Sequence, residues 1–234
     1  MSEEVRNMFA SISGNYDKMN SILSFGIHHR WRKVTVNEAN LQSGQRVLDC
    51  ATGTGDLAFA FWERLNKITD TLPNQVIGTD FCEDMMIYAH EKNEKIGNAV
   101  KFEFADVMSL QYESDTFDIS SISFGIRNVD DPKRGVSELA RVVKPGGKVL
   151  ILEFGQPNGL FAVPYKIYSK YIMPQLGKLF ASDKSAYTYL PVTASKFPAA
   201  ENFLDIMNST GQFSKTYYRK LTFGVAYLYV GIVK

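Results

Sequence analysis

Three carboxylates recur at matching points of a repeating pattern. Asp49 closes the apolar run Arg46-Val-Leu-Asp49, Asp80 closes Gln75-Val-Ile-Gly-Thr-Asp80, and Asp106 follows Val100 to Ala105. The turn after Asp49 reads Cys-Ala-Thr-Gly-Thr-Gly55-Asp56, and its Gly53 and Gly55 let backbone pass close to a ligand at the start of a helix. With Ala58 this turn meets the loose G-x-G-x-x-[GA] dinucleotide pattern, so a nicotinamide reading has to be weighed. Asp56 at the helix start, beside Asp49, would repel a pyrophosphate and suit the cationic end of a zwitterion. No G-K-[ST] follows, so there is no Walker loop. Asp80 is placed to accept from both hydroxyls of a ribose, and Asp106 from an exocyclic adenine amine. Three acids at successive strand ends fit S-adenosyl-L-methionine, whose reacting end carries a sulfonium and an ammonium. The plainer reading makes Asp49 and Asp80 solvated strand terminators.

The elements that must position these residues follow from periodicity. Arg46 to Asp49, Gln75 to Asp80, Val100 to Ala105, Phe117 to Phe124 and Lys148 to Glu153 read as strands. Leu57 to Leu65, Glu83 to Lys95 and Pro132 to Val143 read as helices, the last stopped by Lys144-Pro-Gly-Gly147. This alternation predicts an α/β, Rossmann-like, mostly parallel sheet covered on both faces, with ligands beyond the carboxyl ends of its strands. Phe213 to Leu221 and Val225 to Val233 are separated only by Thr222-Phe-Gly224, too short for a parallel crossover. They predict a terminal hairpin, and with it a seven-stranded sheet with one reversed strand. The organisation expected is a single domain: a helical cap over 1–40, a cofactor-binding core over 41–154, a helical insert over 155–198, and a last helix with the hairpin over 199–234. The insert carries Tyr165, Tyr168, Tyr171, Phe180, Tyr187 and Tyr189, and Lys166, Lys170, Lys178, Lys184 and Lys196 against Asp183 alone. Such a segment suits either a cap completing the core or amphipathic helices over the mouth of the site.

Composition narrows the classes. The chain has 234 residues, 45% hydrophobic and 22% charged, with 26 Lys and Arg against 25 Asp and Glu. That balance gives a packed core and excludes the positive field of a general nucleic-acid binder. The cysteines, Cys50 and Cys82, show no metal spacing and fit a reduced, cytosolic-type compartment. The N-terminal residues lack an apolar core, so no secretory signal is expected, and Val225 to Val233 is too short to span a bilayer.

Two further segments carry a resemblance. Tyr16-Asp-Lys-Met-Asn20, continuing through Ser24 and His28 to Trp31, follows Y-D-x-M-N-x-x-[aliphatic]-S-x-x-x-H-x-x-W; Ser123-Phe-Gly-Ile-Arg-Asn128 and Arg141-Val-Val-Lys-Pro-Gly-Gly147 through Glu153 supply the rest. The chain resembles the class I S-adenosylmethionine-dependent methyltransferases, and more narrowly the quinone C-methyltransferases of menaquinone and ubiquinone biosynthesis. It departs from their pattern at Gly155 and Thr193, where serine is usual. The resemblance implies Thr54, Asp80, Ala105, Asp106 and Ser123 as cofactor contacts. It also implies methylation of a prenylated hydroquinone, most simply demethylmenaquinol to menaquinol, or of ubiquinone and menaquinone precursors alike. Carbon is a poor nucleophile, so a ring phenolate is needed. Arg127 could stabilise it, His28 is the natural base by its ordinary pKa, and Tyr16 and Asn128 could hold a substrate hydroxyl. Asp17 and Asn20 read as turn and cap residues, and Arg30 to Lys33 as a solvated face. The prenyl tail would bring the chain to a membrane surface as a peripheral protein, and a homodimer is compatible with the sequence. Another small-molecule acceptor, or a quinone- or cofactor-binding scaffold without turnover, are the competing readings.

Overall fold

The structure is a computed structural model that describes residues 3–69, 72–173, 175–176 and 185–234. Three helices open the chain, α1 (Glu3–Ile12), α2 (Tyr16–Leu23) and α3 (Ile27–Ala39). The core alternates β1 (Val47–Cys50), α4 (Asp56–Asn66), β2 (Val76–Asp80), α5 (Glu83–Glu94), β3 (Lys101–Phe104), β4 (Phe117–Ser123), α6 (Pro132–Arg141) and β5 (Val143–Phe154). After α7 (Ala162–Ile167) come α8 (Ser185–Lys196), α9 (Glu201–Ser209), β6 (Phe213–Leu221) and β7 (Ala226–Val233). The strand order is β3-β2-β1-β4-β5-β7-β6. Among the described strands only β7 is reversed, antiparallel to both β5 and β6.

Every residue of β1 and β2 is buried. That is why these runs are continuously apolar: a parallel strand is covered on both faces. One core cluster joins Leu139, Phe203 and Met207 to one face, and a second joins Trp31, Phe61 and Leu65 to the other. A smaller cluster of Ile12, Met19, Leu23 and Met173 ties the opening helices to the insert. Helix α6 begins as its sequence dictates, with Pro132 in the first turn and the Asp131 carboxylate accepting from Arg134 N at 3.0 Å.

Strand β5 begins at Val143, earlier than the Lys148 expected. Val143 pairs with Phe117 and Lys148 with Ile119, so Lys144 to Gly147 bulge out of the ladder instead of merely ending a helix. Cys50 lies opposite both Thr79 of β2 and Ile122 of β4. This register brings Asp49, Asp80 and Ser123 to one edge of the sheet, where the strand order turns back on itself at β1 and β4. No helix among the described residues is long and apolar enough to cross a membrane.

Candidate active site

Burial makes the two central carboxylates expensive to ionise. Asp49 is 1% exposed, and its carboxylate accepts from Ser121 Oγ at 2.6 Å and Thr52 Oγ1 at 2.8 Å. Burial pushes its carboxyl up to about 7 against the pull of those hydroxyls, and the neighbouring Asp80 adds to the rise. Asp80 is also pushed up by burial, while accepting from the backbone N–H of Gly53 at 2.7 Å and of Cys82 at 2.8 Å. Gly53 and Gly55 have φ of +56° and +82°, the left-handed turn that lets this N–H reach Asp80. With Phe81 N–H as a third backbone donor, the two Asp80 oxygens still have capacity for a further one. A cationic ligand beside Asp49 would restore its charge, so this donor set fits the sulfonium and ammonium of S-adenosylmethionine.

Two cavities meet at this edge. A chamber of about 990 Å³ is lined by Tyr16, His28, Asp49, Thr54, Ser123 and Arg127, with the walls of α1, α2, α3 and α7. A small cavity of about 70 Å³ is lined by Tyr16, Asp80, Ala105, Asp106, Ser123 and Asn128. Tyr16 and Ser123 belong to both, together with Phe9, Ala51 and Phe124. Gly53 and Gly55 line neither and act by shaping the turn. Asp106 accepts from Met108 N at 2.9 Å and stands just past the end of β3.

Arg127 sits in the 3-10 turn Ile126–Asn128 after β4, with its side chain 4% exposed. It donates to Phe124 O and, at 2.8 Å, to the fully buried Glu153 carboxylate; its guanidinium also lies over the Phe154 ring at 5.2 Å. Its Nε is buried and has no partner among the described residues. An orphaned buried donor costs about 1–3 kcal/mol, which an acceptor brought by a ligand relieves. Next to it, Tyr189 OH donates to Asn128 Oδ1 at 3.0 Å. Burial raises the Tyr16 hydroxyl above its usual range. His28 is driven down to about 4, first by burial and then by the Arg32 and His29 charges, so its ring is neutral at pH 7. The single Ser24 hydroxyl proton goes to Asn20 O at 2.6 Å. His28 Nδ1 lies 2.5 Å from Ser24 Oγ, and the tautomer that donates from Nδ1 to this hydroxyl oxygen keeps the Nε2 lone pair.

Several residues behave otherwise than their sequence context suggests. Asp56 is not a bare anion: Arg32 and Lys92 pair with it and hold its carboxyl below the usual range. The preference for a cation accordingly rests with Asp49 and Asp80. Arg32 thereby leaves the solvated face assigned to Arg30 to Lys33. Asp17 does not cap α2. It accepts from Thr54 Oγ1 at 2.6 Å and from Lys92 Nζ at 2.6 Å, and Lys92 also reaches Thr54 O at 3.1 Å. This network fastens α2 to the glycine turn. At Gly155 a Cβ would stand 2.3 Å from the Tyr227 ring, which explains the loss of the usual serine. Thr193 donates to Tyr189 O at 3.0 Å and lines neither cavity. Tyr165 and Tyr168 face the chamber, whereas Lys178, Phe180, Asp183 and Lys184 lie outside the described residues. Glu153 and Tyr189 are the site residues that spacing alone did not single out. The signal for Glu153 was a carboxylate closing the apolar run Val149 to Leu152.

A seven-stranded sheet with one reversed strand, carrying a glycine turn and acids at its strand ends, defines the Rossmann-like fold of S-adenosylmethionine-dependent methyltransferases. Solved structures agree: a SAM-dependent methyltransferase from Thermotoga maritima superposes with a TM-score of 0.62 at 19% identity, over 97% of this chain and 99% of that one. Phosphoethanolamine N-methyltransferase 2 of Haemonchus contortus, solved with S-adenosyl-L-methionine, gives 0.60 at 21% identity over 82% of this chain and 39% of its own. The chain belongs to the ubiE/COQ5 methyltransferase family, whose profile matches residues 1–233. It is 49% identical to the ubiquinone/menaquinone biosynthesis C-methyltransferase UbiE of Bdellovibrio bacteriovorus, over 99% of this chain and 97% of the relative. It is 40% identical to the demethylmenaquinone methyltransferase of Thermus thermophilus, over 96% and 99%.

Proposed function

We propose that this chain transfers the methyl group of S-adenosyl-L-methionine to a ring carbon of a prenylated hydroquinone, demethylmenaquinol to menaquinol, with a ubiquinone precursor as the second acceptor to test. The cofactor, when bound, supplies an electrophilic methyl on a sulfonium. Asp49 neutralises its positive end, Asp80 takes ribose hydroxyls, Asp106 takes the adenine amine, and Thr54, Ala105 and Ser123 complete the contact. The 1–40 cap and the 155–198 insert serve as walls of the acceptor chamber around the 41–154 core.

The observation that carries this reading is Arg127, a buried guanidinium in the chamber lining that Glu153 and Phe124 O hold in place and whose Nε has no partner among the described residues. Arg127 holds the ring oxygen as an anion, which loads electron density onto the neighbouring ring carbon. A guanidinium keeps its own protons, so Arg127 lowers the energy of the phenolate without acting as the base. With His28 near 4 and a phenol near 10, full proton transfer to the ring costs about 8 kcal/mol. We therefore give His28 Nε2 the role of accepting a hydrogen bond from a ring hydroxyl. Tyr16 and Asn128 hold the acceptor between the two cavities. Attack would form the new carbon–carbon bond as the sulfonium–carbon bond breaks, leaving a neutral thioether; the ring oxygen gives up its proton before attack and regains one when the ring carbon loses its own, so one proton in total passes to water. A chamber of about 990 Å³ stands at the top of the range of about 300–1,000 Å³ found for ligand pockets, room for the ring and the first part of a tail. Because such a tail lives in lipid, the enzyme meets its acceptor at the cytoplasmic face of a bilayer as a peripheral protein.

The test is methyl transfer from labelled cofactor to reduced demethylmenaquinone, a demethylated ubiquinone precursor and no acceptor. Label on a ring carbon of the first supports the reading, and label in both extends it. Cofactor binding with no label in either quinol overturns it.

A further inference from the structure

Two phenylalanines far apart in the sequence stand on either side of one helix. Phe25, 80% exposed, tips the turn between α2 and α3, and Phe223, 67% exposed, tips the turn between β6 and β7. Both have left-handed backbone, φ of +50° and +57°, which bulky side chains rarely adopt. Each turn thus holds an apolar ring out in solvent at a conformational cost, a feature that clusters at functional surfaces. The Phe25 ring lies 5.7 Å from Tyr168 and the Phe223 ring 5.0 Å from Phe161, so the segment around α7 runs between them. Along that segment Leu160, Val163, Ile167 and Tyr171 are all exposed and recur at helical spacing, which places them on one face. Leu72 and Ile87 are exposed on other elements, the loop before β2 and helix α5.

Charge selects the occupant of this face. Residues 155–173 carry Lys166 and Lys170 and no acid, and residues 18–37 carry Lys18, Arg30, Arg32 and Lys33 and no acid. Lys166, Lys170, Arg30 and Lys33 are exposed. Arg32 is taken up by Asp56, but a second copy docked here face to face would set the exposed cations against one another, whereas an anionic surface meets Lys166, Lys170, Arg30 and Lys33 favourably. Phe161, Tyr165 and Tyr168 of the same segments line the large chamber, and the exposed Phe25 ring also borders it, so the outer face is the rim of that chamber.

We propose that Phe25, Leu160, Val163, Ile167, Tyr171 and Phe223 form a docking surface for an anionic lipid bilayer, with the flanking lysines and arginines at headgroup level. The apolar face enters the acyl boundary while the lysine stems snorkel back to the phosphates. This deepens the functional reading and rests on it for the origin of the acceptor: docking sets the chamber rim against the layer in which a prenyl tail is dissolved.

The test is co-sedimentation of the full chain with phosphatidylcholine vesicles, with and without phosphatidylglycerol. The variant combines Leu160→Ser, Val163→Ser and Phe223→Ser, none of which lines the chamber; Leu72→Ser is the control. The parent and the control bind the anionic vesicles and release at high salt, and the triple variant binds at least about tenfold more weakly. Its transfer to a short-tailed, water-soluble hydroquinone stays at the parent rate while transfer to a vesicle-embedded acceptor falls. The proposal is overturned if the parent ignores anionic vesicles, or if the triple variant binds as the parent does. It is also overturned if sedimentation shows a parent dimer that the triple variant dissociates. Vesicle binding without methylation of any quinol would leave this surface standing and remove the functional reading.

Discussion

On the cofactor side, Asp49 and Asp80 reach the site from the adjacent parallel strands β1 and β2, and the glycine turn between them is bonded directly to Asp80. On the acceptor side, Arg127 and Asn128 follow β4, Glu153 is the last residue but one of β5, Tyr189 comes from α8, and Tyr16 and His28 come from the opening helices. The first is a constellation local to one strand-turn-helix unit and its neighbour. The second exists only after distant segments have packed. A site of the first kind tolerates change around it, while one of the second kind depends on the ties that hold its segments, and those ties are where the comparison can be broken.

The largest effect is expected at Glu153. Glu153→Ala leaves Arg127 buried without its partner, and breaking a buried ion pair costs about 3–5 kcal/mol, read as a lower urea midpoint with an unchanged slope. On the cofactor side, Asp80→Ala removes a charge-assisted acceptor worth about 1.5–3 kcal/mol. Calorimetry should show cofactor affinity down by roughly 10- to 150-fold.

Proton linkage at Asp49 gives a smaller effect with a definite sign. Its carboxyl titrates at about 7 in the free protein, far above the ordinary carboxylate range, so the folded state holds a proton that the unfolded chain releases. The stability it contributes is present at low pH and is lost as pH rises from the ordinary value through about 7. A cationic ligand needs the carboxylate, so cofactor affinity should rise about tenfold from pH 6 to pH 8, with a proton released on binding. Smallest is Asp17→Asn, which weakens the link from Thr54 and Lys92 to α2 at a partly exposed site. It should raise the KM for cofactor by a few-fold, more at low salt than at high, and leave kcat in place.

The same contrast accounts for what the sequence could show. Buried parallel strands must be continuously apolar, so β1 and β2 and the acids Asp49 and Asp80 near their ends stand out as apolar runs closed by a charge. Asp56 and Asp17 stand out only as charges, because their partners Arg32 and Lys92 lie on other elements and meet them only in the fold. Asn128 and Tyr189 lie on either side of β5 and α7, and nothing in their spacing announces that one donates to the other. The aromatic insert suggests a surface or a cap by composition; the structure divides it, with Tyr165 and Tyr168 turned inward and Leu160, Val163 and Ile167 outward. Phe25 and Phe223 join that outer face through two strained turns that periodicity cannot reveal.

The most direct measurement is the effect of Arg127→Ala and Arg127→Lys on single-turnover methyl transfer to reduced demethylmenaquinone, beside cofactor affinity by calorimetry on the same preparations. If Arg127 holds the phenolate, transfer falls by about 100- to 1,000-fold in the alanine variant. Lysine fails to restore it, for want of the fork that grips Glu153 and leaves Nε free, and cofactor affinity stays at the parent value. An equal loss of cofactor affinity, or full transfer without Arg127, would contradict the account.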